Sequence, residues 1–111
     1  PVQPLTANAI LALDRFDEDA GATLFVPGSH RWDIPVDPDH ETVPVSMQPG
    51  DMVIFGGRTW HASGKNVTPD RQRRALNFFF CAGWCQPVHG HACGIPEADV
   101  KQLPTALQAL L

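Results

Sequence analysis

Apolar residues in this chain come in short bursts, and turn residues separate the bursts. The clearest case spans residues 50–80, GDMVIFGGRTWHASGKNVTPDRQRRALNFFF. Met52–Phe55 is a strand-like apolar run opened by the turn Pro49-Gly50, and the backbone then arrives extended at Trp60-His61. Arg73–Cys81 is almost unbroken in apolar residues. A polar connection marked by Gly, Asn and Pro lies between, so the stretch reads as two strands joined by a loop. The first strand delivers an imidazole at its end, and the second opens with a guanidinium.

Upstream, Asn8–Phe16 (NAILALDRF) has β-compatible apolar density before the acidic turn Asp17-Glu18-Asp19. Its Ile10-Leu11-Ala12-Leu13 run lacks polar alternation, which predicts burial on both faces. Thr23–Val26 predicts a short strand that Pro27-Gly28 stops, and Ser29 is placed to cap a turn of helix. Residues 34–48 read as a Pro-rich loop with a short strand at Val43–Met47. In the tail Glu97–Leu111, Leu103, Leu107, Leu110 and Leu111 share a helical stripe. Pro104 predicts a break there, with a final helix from about Thr105. Short strands, turns and a C-terminal helix predict a mainly all-β antiparallel sandwich or jelly roll.

Side chains on a strand alternate in direction. His61 and Ser63 therefore face one side, and Trp60 and Ala62 the other. Likewise Arg73, Ala75, Asn77 and Phe79 share a face, opposite Arg74, Leu76, Phe78 and Phe80. Both faces are largely apolar, so this strand is expected to be central and covered on both sides. An arginine at its mouth would be half-buried and need an anion. A planar guanidinium grips a carboxylate with two parallel hydrogen bonds. The plainer reading is a solvated basic cluster of Arg71, Arg73 and Arg74. His61 suits Fe(II) or Zn(II) as a neutral ligand, against the plainer reading of a buried, hydrogen-bonded histidine.

Composition narrows the class. The 111 residues suffice for one domain, and 43% are apolar. Eleven Pro and nine Gly favour turns and short strands over a helical bundle. A net charge of −4 argues against nucleic acid as the main partner. No run of about 18 apolar residues predicts a membrane span. An odd count of three Cys is a poor disulfide framework and points to a reducing cytoplasm.

Other candidates are weaker. Cys81, Cys85, His89, His91 and Cys93 are spaced C-x3-C-x3-H-x-H-x-C, without the close CxxC pairing usual for structural zinc. A two-His-one-carboxylate iron site on a strand wants His-x-Asp, and neither His-x-Asp nor His-x-Glu occurs. His30 and Asp33 read as part of a turn, and His40-Glu41 as a solvated loop.

The segments GATLFVPGSHRWD, GDMVIFGGRTWHASGKN, RRALNFFF, AGW and LPTALQALL together resemble the phytanoyl-CoA dioxygenase family, from about Asn8 to the end. That resemblance implies an Fe(II)- and 2-oxoglutarate-dependent oxygenase on a double-stranded β-helix. It implies His61 as the second iron-binding histidine and Arg73 as the anchor of the distal carboxylate of 2-oxoglutarate. It implies Ser63 as a hydroxyl on the same carboxylate. The family's arginine usually falls one position closer to its histidine; Arg73 is twelve positions after His61 and Arg71 ten. Arg73 is preferred because Arg-Arg-Ala-Leu follows the family's pattern into the strand.

The family's first histidine and its aspartate form a His-x-Asp pair that is missing here. Residues 1–111 are thus expected to be the C-terminal portion of one oxygenase domain, inactive alone, with an incomplete double-stranded β-helix. The implied partners are O2 and a small organic molecule to be hydroxylated. The competing reading is a non-enzymatic cupin-like binding or structural module in which His61 and Arg73 are inert.

Overall fold

Strand β1 (Thr6–Ala12) is the axis of one sheet in the computed structural model, which describes residues 5–85 and 94–109. It is flanked by β4 (Met52–Gly56) and β6 (Ala75–Cys81), both antiparallel to it. The second sheet has the order β3–β2–β5, with β2 at Thr23–Phe25, β3 at Val43–Pro44 and β5 at His61–Ser63, again antiparallel. The mainly antiparallel, two-sheet architecture is the expected partial jelly roll.

The chain alternates between the sheets. β4 lies in the first, β5 in the second and β6 in the first again. The stretch 50–80 therefore holds three strands in two sheets, not the two strands joined by a loop that its sequence suggested. β4 and β6 never pair; β1 separates them. Local sequence specifies strand character, and the partner is chosen by distant residues.

Register assigns the faces. Ile10 lies opposite Val53 and Asn77, and Ala12 opposite Ala75. Ile10, Ala12, Val53 and Ala75 pack with Phe16, Ala22, Val45 and Met47, so this face looks inward. Phe16, at 0% exposure, is the centre of that cluster. One row along, Asn8 stands between Phe55 and Phe79 on the same inward face.

The outward face carries Met52, Ile54, Leu76, Phe78 and Phe80, all exposed. This corrects the expectation that the Phe-rich strand is central and covered on both sides. Among the described residues β6 is an edge strand, and Phe78, Phe79 and Phe80 are 39%, 51% and 44% exposed. Its apolar character is that of a two-sided strand, but the described residues cover it incompletely on both faces.

Two further expectations change. Ser29 opens a 3₁₀ turn, Ser29–Arg31, but does not cap it; Gly28 precedes the turn in the left-handed region at φ 82°. The short strand expected at Val43–Met47 shrinks to Val43–Pro44, with Met47 joined to Phe16 by a separate bridge. The tail does break at Pro104: α1 (Glu97–Val100) and α2 (Thr105–Gln108) each begin directly after a proline. Among the described residues no helix is long and apolar enough to cross a membrane.

Candidate metal and carboxylate site

His61 is the first residue of β5, and its approach is fixed by one hydroxyl. Ser29 Oγ donates to the Val26 carbonyl at 2.7 Å and accepts from the Trp60 N–H at 2.9 Å. The Val26 N–H in turn donates to the Trp60 carbonyl at 3.0 Å. Ser29 is 1% exposed, so these bonds exchange little with water. The Pro-Gly-Ser-His and Trp-His elements, far apart in sequence, thereby become one structural unit.

The imidazole points inward, as strand parity requires. Its ring lies 5.9 Å from that of Phe25, its cross-strand partner, and 4.7 Å from that of Phe55 in the other sheet. Nδ1 lies 2.9 Å from the Thr59 carbonyl oxygen. A carbonyl only accepts, so in the neutral imidazole Nδ1 carries the hydrogen and Nε2 keeps its lone pair. That is the state in which an imidazole binds a metal. His61 is also exposed, which corrects the plainer reading of a buried histidine.

Ser63 sits on the same face, about 7 Å further along β5 at two residues of extended strand. Directly opposite it is Thr23, a buried polar side chain on β2. Sequence reading passed over Thr23 because one hydroxyl in a short apolar run has no local signature. Its parity with Phe25 is the signal that could have found it.

Gly64 follows because nothing larger fits. A Cβ there would stand 2.4 Å from the Ala22 carbonyl oxygen and 3.0 Å from the Gly21 carbonyl carbon. Asn66 then organises the connection. Its Oδ1 accepts from the Thr68 N–H, and its Nδ2 donates to the Arg71 carbonyl at 2.8 Å. The H-x-S-G-x-N pattern thus combines two inward side chains, one close backbone approach and one loop clamp.

The three arginines separate sharply. Arg71 donates twice to Asp17, at 2.6 and 3.0 Å. Arg74 donates twice to Asp14 through Nε and Nη2, both at 2.9 Å, and its backbone N–H donates to the same carboxylate at 2.8 Å. Hydrogen bonds from the Arg74 side chain, then from its backbone N–H, bring the Asp14 carboxyl down to about 2. Asp17 is lowered likewise, by the Arg71 side chain first and the Ala20 N–H second. Arg73 has no carboxylate partner among the described residues. It is half-buried, with its guanidinium carbon 4.8 Å from the centre of the Phe16 ring. A cation resting on an aromatic face is held in place with its hydrogen-bond donors still available. Arg71 and Arg74 are exposed, as the plainer reading of a solvated basic cluster has it, though each is paired with a carboxylate; only the half-buried Arg73 departs from that reading.

His61 meets Phe55 of the other sheet, Ser63 shares its side of β5 by strand parity, and Arg73 rests on the buried Phe16. The sheet register places His61 toward the Phe25–Phe55 end and Arg73 toward the Phe16 end. Elsewhere, His40 is not solvated as expected. It packs against Trp32 and Trp60 at ring distances of 5.0 and 5.3 Å, on the outer side of β5. Cys81 and Cys85 are free thiols, while His89, His91 and Cys93 of the zinc reading lie outside the described residues. Among the described residues no three His, Cys, Asp or Glu side chains gather into a metal site, so His61 stands as a single donor.

The family profile described as Phytanoyl-CoA dioxygenase (PhyH) matches residues 1–75, a span that includes His61, Ser63 and Arg73. The chain belongs to the phytanoyl-CoA dioxygenase family. The chain is 35% identical over 108 residues to Dioxygenase af480 of Aspergillus fumigatus, covering 94% of this chain and 35% of that protein. It is 33% identical over 105 residues to Dioxygenase FUM3 of Gibberella moniliformis, covering 94% and 35%. A crystal structure of EvdMO1 superposes with a TM-score of 0.63 at 29% identity, over 70% of this chain and 20% of that one. The chain spans about a third of the length of these curated relatives.

Proposed function

We propose that this chain is the C-terminal portion of an Fe(II)- and 2-oxoglutarate-dependent dioxygenase, and that it supplies one iron-binding imidazole and the anchor for the cosubstrate. His61 Nε2 is the metal donor, Arg73 the cation for the far carboxylate of 2-oxoglutarate, and Ser63 a hydroxyl on that carboxylate. The observation that carries this is the division of labour among the arginines. Arg71 and Arg74 are engaged by Asp17 and Asp14, whereas Arg73 rests inward on Phe16 with its donors unclaimed by any described carboxylate.

The imidazole is a neutral nitrogen donor of the kind Fe(II) accepts. The other ligands are not among the described residues, and the sequence holds no His-x-Asp. When bound, iron with 2-oxoglutarate supplies the oxidation of a small organic substrate by O2. This chain's own share is placement. Arg73 grips a carboxylate with paired donors, and the flat Phe16 face keeps the guanidinium in one plane. Ser63 and Thr23 offer hydroxyls between the carboxylate end and the imidazole end. The packed cluster around Phe16 keeps water out behind the cation.

Anaerobic titration of the full-length protein with Fe(II) and 2-oxoglutarate tests the reading through the weak visible charge-transfer band of the chelate. A band is expected; its absence would leave a non-enzymatic cupin-like module. Arg73→Ala should raise the half-saturating 2-oxoglutarate concentration ~10-fold or more, as loss of charged hydrogen bonds does. Arg71→Ala should leave it within about a factor of two, since its partner is a surface carboxylate. Equal effects would assign the anchor wrongly.

A further inference from the structure

An exposed histidine ordinarily samples several ring orientations, because its χ2 torsion is broad and nearly two-fold. His61 does not have that freedom. Phe25 lies nearly parallel to its ring, at 25°, and Phe55 meets it edge-on at 62°. The two phenylalanines also touch each other, at 4.9 Å and 76°. They come from different sheets, Phe25 from β2 and Phe55 from β4. The imidazole is thus caught in a wedge whose two walls belong to separate sheets. Turning the ring over within that wedge would put a carbon where Nδ1 meets the Thr59 carbonyl and would break the 2.9 Å bond.

Taking His61 as a metal ligand, we propose that Phe25 and Phe55 are positioning residues: their wedge fixes the His61 ring plane, and the Thr59 carbonyl fixes its tautomer, so that Nε2 alone is presented. Filling the core is the other role open to such phenylalanines. Phe25, at 8% exposure, does fill space. Phe55 is only half-buried, and the ring beside it is a polar side chain at an open site, which core filling does not require. Groups that orient a metal-binding histidine typically change metal affinity ~10–100-fold when removed.

The test uses the full-length protein. Phe55→Leu keeps apolar bulk and removes the ring; Phe55→Tyr keeps the ring. Phe55→Leu should weaken Fe(II) binding ~10–100-fold in anaerobic chelator competition. The 2-oxoglutarate requirement at saturating iron should stay unchanged, and Phe55→Tyr should restore wild-type affinity. In the metal-free protein, the ring nitrogen shifts of His61 should report one fixed tautomer in the wild type and averaging in Phe55→Leu. That readout does not depend on iron. Wild-type affinity and a fixed tautomer in Phe55→Leu, with only a lower melting temperature, would overturn the proposal. Should Phe55→Leu not fold, the same two measurements on Phe25→Leu decide it in the same way. His61→Ala separates the layers: undiminished iron binding there would remove His61 as a ligand, whereas its loss together with an unaffected Phe55→Leu would remove only the wedge.

Discussion

One buried hydroxyl joins Val26 to Trp60 across the site. Replacing Ser29 by Ala leaves the Trp60 N–H without its acceptor in a place water barely reaches. The expected cost is about 1–3 kcal/mol, read as a lower urea midpoint at unchanged slope. Asp14 gives a second residue-scale expectation. Its carboxyl is lowered on folding to about 2, so its contribution to stability is complete above the unfolded carboxylate value of about 4 and is lost as pH falls toward 2. Asp14→Asn should therefore flatten the acid side of the stability curve between those two values, in urea titrations repeated across pH. At this scale the sequence was informative where parity decided: His61 lies against Phe25 and Phe55 on the inward side of β5, as alternation demands. It was silent on Asp14 and Asp17, which find Arg74 and Arg71 sixty and fifty-four residues away. It misjudged His40, whose Pro-flanked polar surroundings concealed two tryptophans folded over it.

Among the elements, the connection from β5 to β6 is the most constrained. Gly64→Ala pushes a methyl group into the Ala22 carbonyl, and the backbone on both sides must move. Overpacking of this kind costs about 1–3 kcal/mol, and on the role proposed for the adjacent Ser63 it should also weaken 2-oxoglutarate binding. Gly83→Ala, where a Cβ meets nothing within 4 Å, is the matched control and should be near neutral. Thermal midpoints and cosubstrate titrations of the pair check both statements. Strand existence was readable from apolar bursts and Pro-Gly stops, including the break at Pro104. Strand partnership was not, because a run such as MVIF carries nothing that distinguishes pairing with β1 from pairing with β6.

For the whole molecule, the open side of the first sheet dominates behaviour. Ile54 is 70% exposed on the same outward face as Phe78 and Phe80, and β6 carries no charged side chain. An apolar, uncharged edge strand is a template for strand-to-strand association. Residues 1–111 prepared alone should self-associate as concentration rises. Phe80→Lys, which puts a charge on the outward face, should raise the onset concentration several-fold in light scattering. An unchanged onset would place the association elsewhere.

The alternation of β4, β5 and β6 between layers also limits how this site can be moved. A peptide of residues 50–80 contains the imidazole and the guanidinium, yet would hold neither, because β4 and β6 meet only through β1 and β5 leans on β2. Transplanting the pair into another scaffold would require both layers and the aromatic hinge between them, not the contiguous segment that carries the two residues.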